Sequence, residues 1–226
     1  MIRAMQPCWD PRPRPERSPS LAATPARTCA LKRIAVLVSG SGTNLQALLD
    51  ADNLGGQVVL VGADRPDAYG LVRAERAGID TLVVPFSEYG VRDEWDATLF
   101  QRVAEYAPDL VVLAGFMRIL HARWVERWPM LNTHPALLPA FPGPHAVRDA
   151  LACGVKVTGA TVHFVIEEVD AGPIVLQEPV RVESGDSEAT LHERIKAVEH
   201  RLLPEAVSLF CHDRLEVSGR MVRVRT

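Results

Sequence analysis

The chain has 226 residues, 47% of them hydrophobic, and a formal net charge of −3. This length supports one sizeable hydrophobic core, so a single domain is the expected organisation. The first 31 residues contribute +3, which leaves −6 on the rest of the chain and no global basic field to attract nucleic acid. No apolar run approaches the roughly 20 residues that span a bilayer, and no signal-peptide pattern is present. The composition predicts a soluble, cytoplasmic protein that binds neither nucleic acid nor membrane.

The cysteines form no recognisable framework. Cys8, Cys29, Cys153 and Cys211 show no C-x-x-C spacing. This spacing predicts neither a set of disulfides nor a zinc site. We therefore expect buried or incidental thiols in a reducing cytoplasm, and no metal.

Residues 1–31 differ in composition from the remainder. They hold six of the seventeen prolines and show no hydrophobic period, so we expect a disordered Pro/Arg-rich extension. A basic transit peptide and an overlong translation start are alternatives that the sequence leaves open. Residues 32–226 are predicted to form the single folded domain.

Strands and helices alternate from Arg33 onward. The apolar run 34–38 is typical of a strand buried on both faces of a parallel sheet, and a glycine-rich turn at 39–44 leads from it into a helix at 45–52. This alternation predicts an α/β fold: a Rossmann-like, open, mostly parallel twisted sheet with helices on both faces. Further strands are predicted at 58–61, 81–84, 110–113 and 130–132, and further helices at 68–77, 92–106 and 121–127.

The C-terminal half has a different pattern. Segments 157–164 and 174–182 are longer and rich in β-branched residues, which indicates added antiparallel strands. A long helix is predicted at 188–210, with the residues just before it supplying an N-cap. Residues 214–224 alternate around Ser218 and Gly219, a pattern that favours a small hairpin.

A candidate active site lies at 131–144. There an apolar strand ends in Asn132 and His134, and four prolines follow. If strand pairing continues to His134, the two side chains share one face of the sheet, because they are two residues apart. A fixed amide donor beside a titratable ring stabilises a developing oxyanion and moves a proton. Acyl or formyl transfer requires both of these actions.

The glycine-rich turn is a second candidate site. Between Gly40 and Asn44 the glycines can adopt backbone angles closed to other residues, so that successive N–H groups point into one concavity at the start of a helix. The turn is not a dinucleotide fingerprint, because Leu45 occupies the third glycine position, and it has no Lys-Ser/Thr pair. It indicates a phosphate cradle, and a merely tight connection is the alternative.

The third candidate is the acidic loop 167–173. Glu167 and Glu168 are typical of a solvated loop, whereas Gly172 and Pro173 restrict the chain just behind Asp170. An aspartate brought close to the imidazole of the 131–144 segment would orient that ring. Of the other histidines, only His163 is expected near the site, packed beneath it.

Several of these segments together resemble a known enzyme family. The segments 131–139, 142–143, 159–164 and 170–174 are similar to the folate-dependent formyltransferases. With 39–46 and 113–120 added, the chain resembles the members of that family that act on glycinamide ribonucleotide. The similarity runs from about residue 33 to residue 210, with the motifs in the same order.

This resemblance implies a reaction, two substrates and a set of site residues. The reaction is transfer of the formyl group of 10-formyltetrahydrofolate to the glycyl amine of glycinamide ribonucleotide in purine biosynthesis, without a metal, by a monomer or a homodimer. The implied residues are Asn132, His134 and Asp170 for catalysis; Gly42, Thr43 and Asn44 for the phosphate; Glu199 for the ribose; and Arg92, Met117, Arg118, Ile119, Leu120, Ile166, Glu167, Glu168 and Val169 for the folate.

Three other functions compete with this one. A 10-formyltetrahydrofolate hydrolase uses a similar Asn, His and Asp set, but it is expected to carry a regulatory domain before the catalytic one, for which 31 residues leave no room. Formyl transfer to methionyl-tRNA would need an RNA-binding domain and a basic surface, which this sequence lacks. An inactive binding protein would not need all three catalytic groups.

Overall fold

A computed structural model describes residues 31–225 of the chain. The extension predicted at the N-terminus therefore lies, apart from Leu31, outside the described residues. The strands are β1 (Lys32–Val38), β2 (Gly56–Ala63), β3 (Thr81–Val83), β4 (Leu110–Leu113), β5 (Met130–His134), β6 (Val157–Phe164), β7 (Ile174–Arg181), β8 (Leu215–Ser218) and β9 (Met221–Val224). The helices are α1 (Thr43–Leu49), α2 (Tyr69–Arg76), α3 (Arg92–Ala104), α4 (Ala122–Arg127), α5 (Ala146–Ala152) and α6 (Glu188–Cys211).

One seven-stranded sheet organises the fold, with the strand order β3-β2-β1-β4-β5-β6-β7. The strands β1 to β5 pair in parallel, and β6 and β7 are added to that sheet by antiparallel pairing. The prediction of a mostly parallel sheet with antiparallel additions is confirmed, as is the C-terminal hairpin, formed by β8 and β9.

Helices cover the sheet on both faces, and the inner strand β1 is apolar from Ile34 to Val38. Residues 34–38 of β1 are completely buried, and their side chains alternate between two hydrophobic clusters. Ile34, Val36 and Val38 pack with residues of α1, α2, α5 and α6, whereas Ala35 and Leu37 pack with α3 and α4. A continuous apolar run is what such two-sided burial requires. Among the described residues, none of these helices is long and apolar enough to cross a membrane.

The strand β5 is longer than the apolar pattern predicts. The sequence indicates a strand over 130–132, but antiparallel pairing with β6 continues until His134 lies opposite Thr161. Hydrogen bonding to a neighbouring strand, which the local sequence does not encode, extends β5 past its apolar part. As a result, Asn132 and His134 lie on one face of the sheet and Thr133 lies on the other.

Helix α5 is an element that the sequence does not predict. It follows a proline-rich segment and has seven residues, too few to show a clear helical period. Its buried side chains are Ala146, Val147 and Ala150, and Val147 belongs to the core cluster that also contains residues of the sheet and of α6. A helix this short depends on tertiary packing rather than on intrinsic propensity.

The strand order creates a crevice at one edge of the sheet. The chain builds β2 and β3 on one side of β1 and then crosses to place β4 on its other side. In open α/β sheets, ligands bind outside the carboxyl ends of the strands at such a reversal. The turn after β1 and the segment after β4 meet there.

Replacing Gly159 with alanine is expected to destabilise the β6–β7 pair. A Cβ atom at this position would collide with the carbonyl oxygen of Glu178, which is backbone and cannot move aside without disturbing the strand pairing. We expect a loss of about 1–3 kcal/mol in the free energy of unfolding, measured by urea titration. Gly90→Ala is the matched control, because a Cβ at Gly90 would meet no atom of residues 31–225 within 4 Å. Equal stability of the two variants would contradict this explanation.

Candidate active site

A cleft of about 560 Å³ lies at the carboxyl ends of β1 and β4. Its walls come from segments that are far apart in the sequence, including four residues of β5 and several positions along α6. The segments are 40–44, 113–122, 132–135, 143–147 and 165–167, joined by Val125, Met130, His163, Val169, Asp170, Glu188, His192, Lys196 and Glu199.

The amide of Asn132 is held by His163. The Nδ1 atom of His163 lies 2.9 Å from the carbonyl oxygen of Phe164, which can only accept, so Nδ1 carries the proton. The other ring nitrogen, Nε2, then accepts from Nδ2 of Asn132 at 3.2 Å. Burial lowers the pKa of the His163 imidazole, against the opposing effects of the Phe164 carbonyl and the Asp170 carboxylate. A neutral ring in this tautomer fixes which way the Asn132 amide faces and leaves its second N–H available.

The His134 ring lies between a carboxylate and a carbonyl. Its Nδ1 atom is 3.4 Å from Oδ2 of Asp170, and its Nε2 atom donates to the carbonyl oxygen of Phe141 at 2.8 Å. The same carboxylate oxygen accepts from the backbone N–H of Gly143 at 2.8 Å. The His134 and Asp170 side chains are only 5% and 10% exposed, so their mutual interaction is little screened by solvent.

Two residues around this ring have strained backbones. Asp170 and Phe141 both have φ = 54°, in the left-handed region that non-glycine residues rarely adopt. Immediately behind Asp170, a Cβ at Gly172 would overlap the carbonyl oxygen of Phe164, so only glycine allows this close approach. Strain of this kind persists only where the surrounding structure enforces it. It indicates that the position of the Asp170 carboxylate is imposed by the loop.

The other end of the cleft joins the glycine turn to α6. Gly42 has φ = 67° and precedes α1, and Asn44 in the first turn of that helix donates from Nδ2 to Oε2 of Glu199 at 3.1 Å. Glu199 is only 4% exposed, and the Oδ1 atom of Asn44 is buried with no hydrogen-bond partner among the described residues. A buried carboxylate and an unpaired amide oxygen are acceptors suited to ligand hydroxyl groups.

Two arginine side chains, Arg118 and Arg92, brace the segment 116–121. Arg118 pairs with buried Asp64 at 2.7 Å and lies over the ring of Phe86, 4.1 Å from its centroid. Arg92 donates to the carbonyl oxygen of Ile119. Met117 and Ile119 remain 73% and 57% exposed and present an apolar edge. Both guanidinium groups therefore hold the segment in place and leave its apolar side chains free.

A family model described as formyl transferase matches residues 32–207. The chain belongs to the formyl transferase family. A phosphoribosylglycinamide formyltransferase from Mycobacterium tuberculosis is 50% identical to this formyltransferase over 192 residues, which are 83% of this chain and 89% of that protein. The human trifunctional purine biosynthetic protein adenosine-3 is 50% identical over 182 residues, 78% of this chain. The chain spans only 18% of the length of that trifunctional relative.

Solved structures resemble this formyltransferase over most of its length. A crystal structure of glycinamide ribonucleotide transformylase 1 from Symbiobacterium toebii has a TM-score of 0.83 and 51% sequence identity. The match covers 87% of this chain and 95% of that one. The Rossmann-like fold predicted from the alternation of strands and helices is confirmed.

The cleft of this formyltransferase gathers most of the site residues predicted from the sequence. Arg92 and Glu168 are the exceptions: the first braces the backbone of Ile119, and the second lies outside the cleft. The predicted residues that line the cleft are Gly42, Thr43, Asn44, Met117, Arg118, Ile119, Leu120, Asn132, His134, Ile166, Glu167, Val169, Asp170 and Glu199. Among the described residues, no group of His, Cys, Asp and Glu side chains is arranged to hold a metal ion.

Sequence reasoning missed several residues that line the cleft of this formyltransferase. His145 precedes α5, and Glu188, His192 and Lys196 lie on α6. The signal for the α6 residues was present, because intervals of four, four and three residues place them on one helical face together with Glu199. His145 carried no comparable signal, since α5 itself was not predicted.

Replacing His163 with glutamine is expected to change how the stability of this formyltransferase depends on pH. Burial lowers the pKa of the folded ring below the usual 6.5, so the unfolded chain binds the proton more readily. His163 therefore reduces stability as the pH falls below about 6.5, down to the lowered pKa of the folded state. Urea unfolding from pH 7.5 to pH 5 should show a shallower loss of stability for His163→Gln than for the parent. If the free energy of unfolding fell equally with pH in both proteins, a lowered pKa of His163 in the folded state would be contradicted.

Proposed function

We propose that this chain transfers the formyl group of 10-formyltetrahydrofolate to the glycyl amine of glycinamide ribonucleotide, a step of purine biosynthesis. The supporting observation is that Asn132, His134 and Asp170 meet in one cleft that also includes the glycine turn. A phosphate cradle beside an amide and an imidazole suits a phosphorylated amine acceptor better than water. The relatives named phosphoribosylglycinamide formyltransferase support the same assignment.

The ribonucleotide is proposed to lie between the glycine turn and α6. Its phosphate accepts hydrogen bonds from the backbone N–H groups of Gly42, Thr43 and Asn44, and its ribose hydroxyls donate to the carboxylate of Glu199. Lys196, one turn before Glu199 and on the same face of α6, also lines this end of the cleft, and its ammonium group pairs with Glu193 at 2.6 Å. No global basic field is needed, because each donor is local.

The folate is proposed to bind along the segments after β4 and β6. Met117, Ile119, Ile166 and Val169 are exposed apolar side chains on the rim of the cleft, and burying them against an aromatic ring system is favourable. The backbone from 166 to 170 supplies hydrogen-bond groups to the edge of the pterin. Arg118 acts in this site through its backbone, because its guanidinium is engaged by Asp64.

The chemistry is direct acyl transfer. The glycyl amine attacks the formyl carbon and forms a C–N bond, and the carbonyl π electrons become a negative charge on oxygen. The second N–H of Asn132 donates to that oxygen, and protonated His134, balanced by Asp170, adds positive charge beside it. The bond from carbon to N10 of the folate then breaks as the oxygen charge re-forms the carbonyl. Protonated His134 donates a proton to N10 and takes up the proton that the amine loses, or a water held by Asp170 carries the proton between the two nitrogens.

Other features of the proposal concern partners and compartment. Small-molecule substrates are the only ligands proposed, with neither nucleic acid nor a membrane as a partner, and the protein acts as a monomer or a homodimer. Cys153 and Cys211 are free thiols, which suits a reducing cytoplasm.

An assay with and without the acceptor tests the proposed function. We expect tetrahydrofolate to be released from 10-formyltetrahydrofolate only when glycinamide ribonucleotide is present, together with an equal amount of formylated ribonucleotide. Both products can be quantified by chromatography. Equal release without the ribonucleotide would instead support the hydrolase, and no release under either condition would contradict both enzyme assignments.

Replacing Asn132 with alanine is expected to lower turnover by a factor of roughly 10² to 10³, because one oxyanion donor is lost. Binding of glycinamide ribonucleotide, measured by calorimetry, should be retained, which separates lost chemistry from lost folding. Asn53→Ala is the matched control, since Asn53 is exposed in the loop before β2 and lies outside the cleft. Near-normal turnover of Asn132→Ala would show that Asn132 does not stabilise the oxyanion.

A further inference from the structure

Helix α2 contacts the glycine turn from the side opposite to the cleft. The backbone N–H of Gly70 donates to the carbonyl oxygen of Gly40 at 3.1 Å. A Cβ added at Gly42 would lie only 2.5 Å from the Cα of Gly70, so the turn and the helix are in close backbone contact. The first turn of α2 therefore forms the outer support of the proposed phosphate cradle.

Arg73 of α2 binds a second carbonyl group of the glycine turn, that of Ser41. Its Nε atom donates to the carbonyl oxygen of Ser41 at 2.9 Å, and its Nη1 atom donates to Oε1 of Gln46 at 2.9 Å. The guanidinium also lies over the ring of Tyr69, 5.1 Å from its centroid. These three contacts fix the plane of the guanidinium. Arg73 itself does not line the cleft.

Anchoring these carbonyl groups determines where the neighbouring N–H groups point. In a planar trans peptide, the C=O of one residue and the N–H of the next point in opposite directions. Because the carbonyls of Gly40 and Ser41 face α2, the N–H groups of Ser41 and Gly42 face away from it, toward the side on which the turn lines the cleft. Neither N–H has a hydrogen-bond acceptor among residues 31–225.

We propose that Arg73 is a positioning residue, which orients the backbone N–H groups of the glycine turn toward the substrate phosphate by binding the Ser41 carbonyl. This inference rests on the function proposed above and extends it to a residue outside the cleft. Arg73 influences the substrate through the backbone and makes no direct contact with the phosphate. Its effect is therefore confined to substrates that carry the phosphate.

The test compares glycinamide ribonucleotide with glycinamide riboside, the same molecule without its phosphate. For Arg73→Met we expect kcat/KM with the ribonucleotide to fall about tenfold through a higher KM, the equivalent of one charge-assisted hydrogen bond. We expect kcat at saturation, and kcat/KM with the riboside, to change less than twofold. Arg73→Lys should recover part of the loss, because an ammonium group can still donate to the Ser41 carbonyl.

Arg76→Met is the matched control. Arg76 lies on the same helix, one turn after Arg73. Within residues 31–225 its hydrogen bond and its cation–π contact are both with the Tyr69 side chain, and its Nη1 atom is 3.3 Å from the hydroxyl oxygen. Its variant should treat both substrates as the parent does. An equal fall of kcat/KM for both substrates with Arg73→Met would show a general structural role and overturn the proposal, as would an unchanged KM for the ribonucleotide.

Two further outcomes separate this inference from the function on which it rests. If the unmodified protein forms no product from the ribonucleotide, the proposed function fails. If the unmodified protein is active and Arg73→Met keeps the parent's ratio of kcat/KM between ribonucleotide and riboside, the proposed function stands and only the proposed role of Arg73 is wrong. Should Arg73→Met not fold, Arg73→Lys carries the same comparison, and a phosphate-independent effect of that variant would also overturn the proposal.

Discussion

The antiparallel pairing of β5 with β6 is the interaction on which the candidate site depends. It carries β5 beyond its apolar part, so that Asn132 and His134 face the same way, and it places His163 opposite Asn132. Because β6 ends beside the start of the loop that holds Asp170, the same pairing delivers the carboxylate to the imidazole. Polar groups from two separate segments of the chain are thereby brought together by main-chain pairing, which is less adjustable than side-chain contacts.

Much of this arrangement could be predicted from the sequence, because the responsible signals are local. The buried strand β1, the glycine turn after it and the N-cap of α6 each depend on a few consecutive residues. In α6, Ser187 and Thr190 form a capping box by exchanging hydrogen bonds with each other's backbone. Asn132 and His134 could be paired by their spacing alone, whereas their approach to Asp170 was implied only by the family resemblance.

The features that could not be predicted depend on tertiary contacts. Helix α5 is too short to be recognised without the sheet on which it packs. Arg92 and Arg118 are predicted from the family resemblance to bind the folate. The sequence does not reveal that Asp64 is buried and that Arg118 pairs with it. A buried carboxylate without a partner is costly, so the guanidinium of Arg118 pairs with Asp64. The role of Arg73 is hidden for the same reason, since it acts on a backbone carbonyl 32 positions earlier in the chain.

The hydrogen bond between Asn44 and Glu199 joins residues 155 positions apart in the sequence. It connects α1, the first helix, to α6, the last, at one end of the cleft. Neither the N-terminal nor the C-terminal half of the chain contains all the hydrogen-bond donors and acceptors that line the cleft. A chain that ended before α6 would lack Glu199 and the other α6 residues that line the cleft. Because ligand contacts would tie together both ends of the fold, occupancy would also protect the whole domain from proteolysis, through preferential stabilisation of the native state.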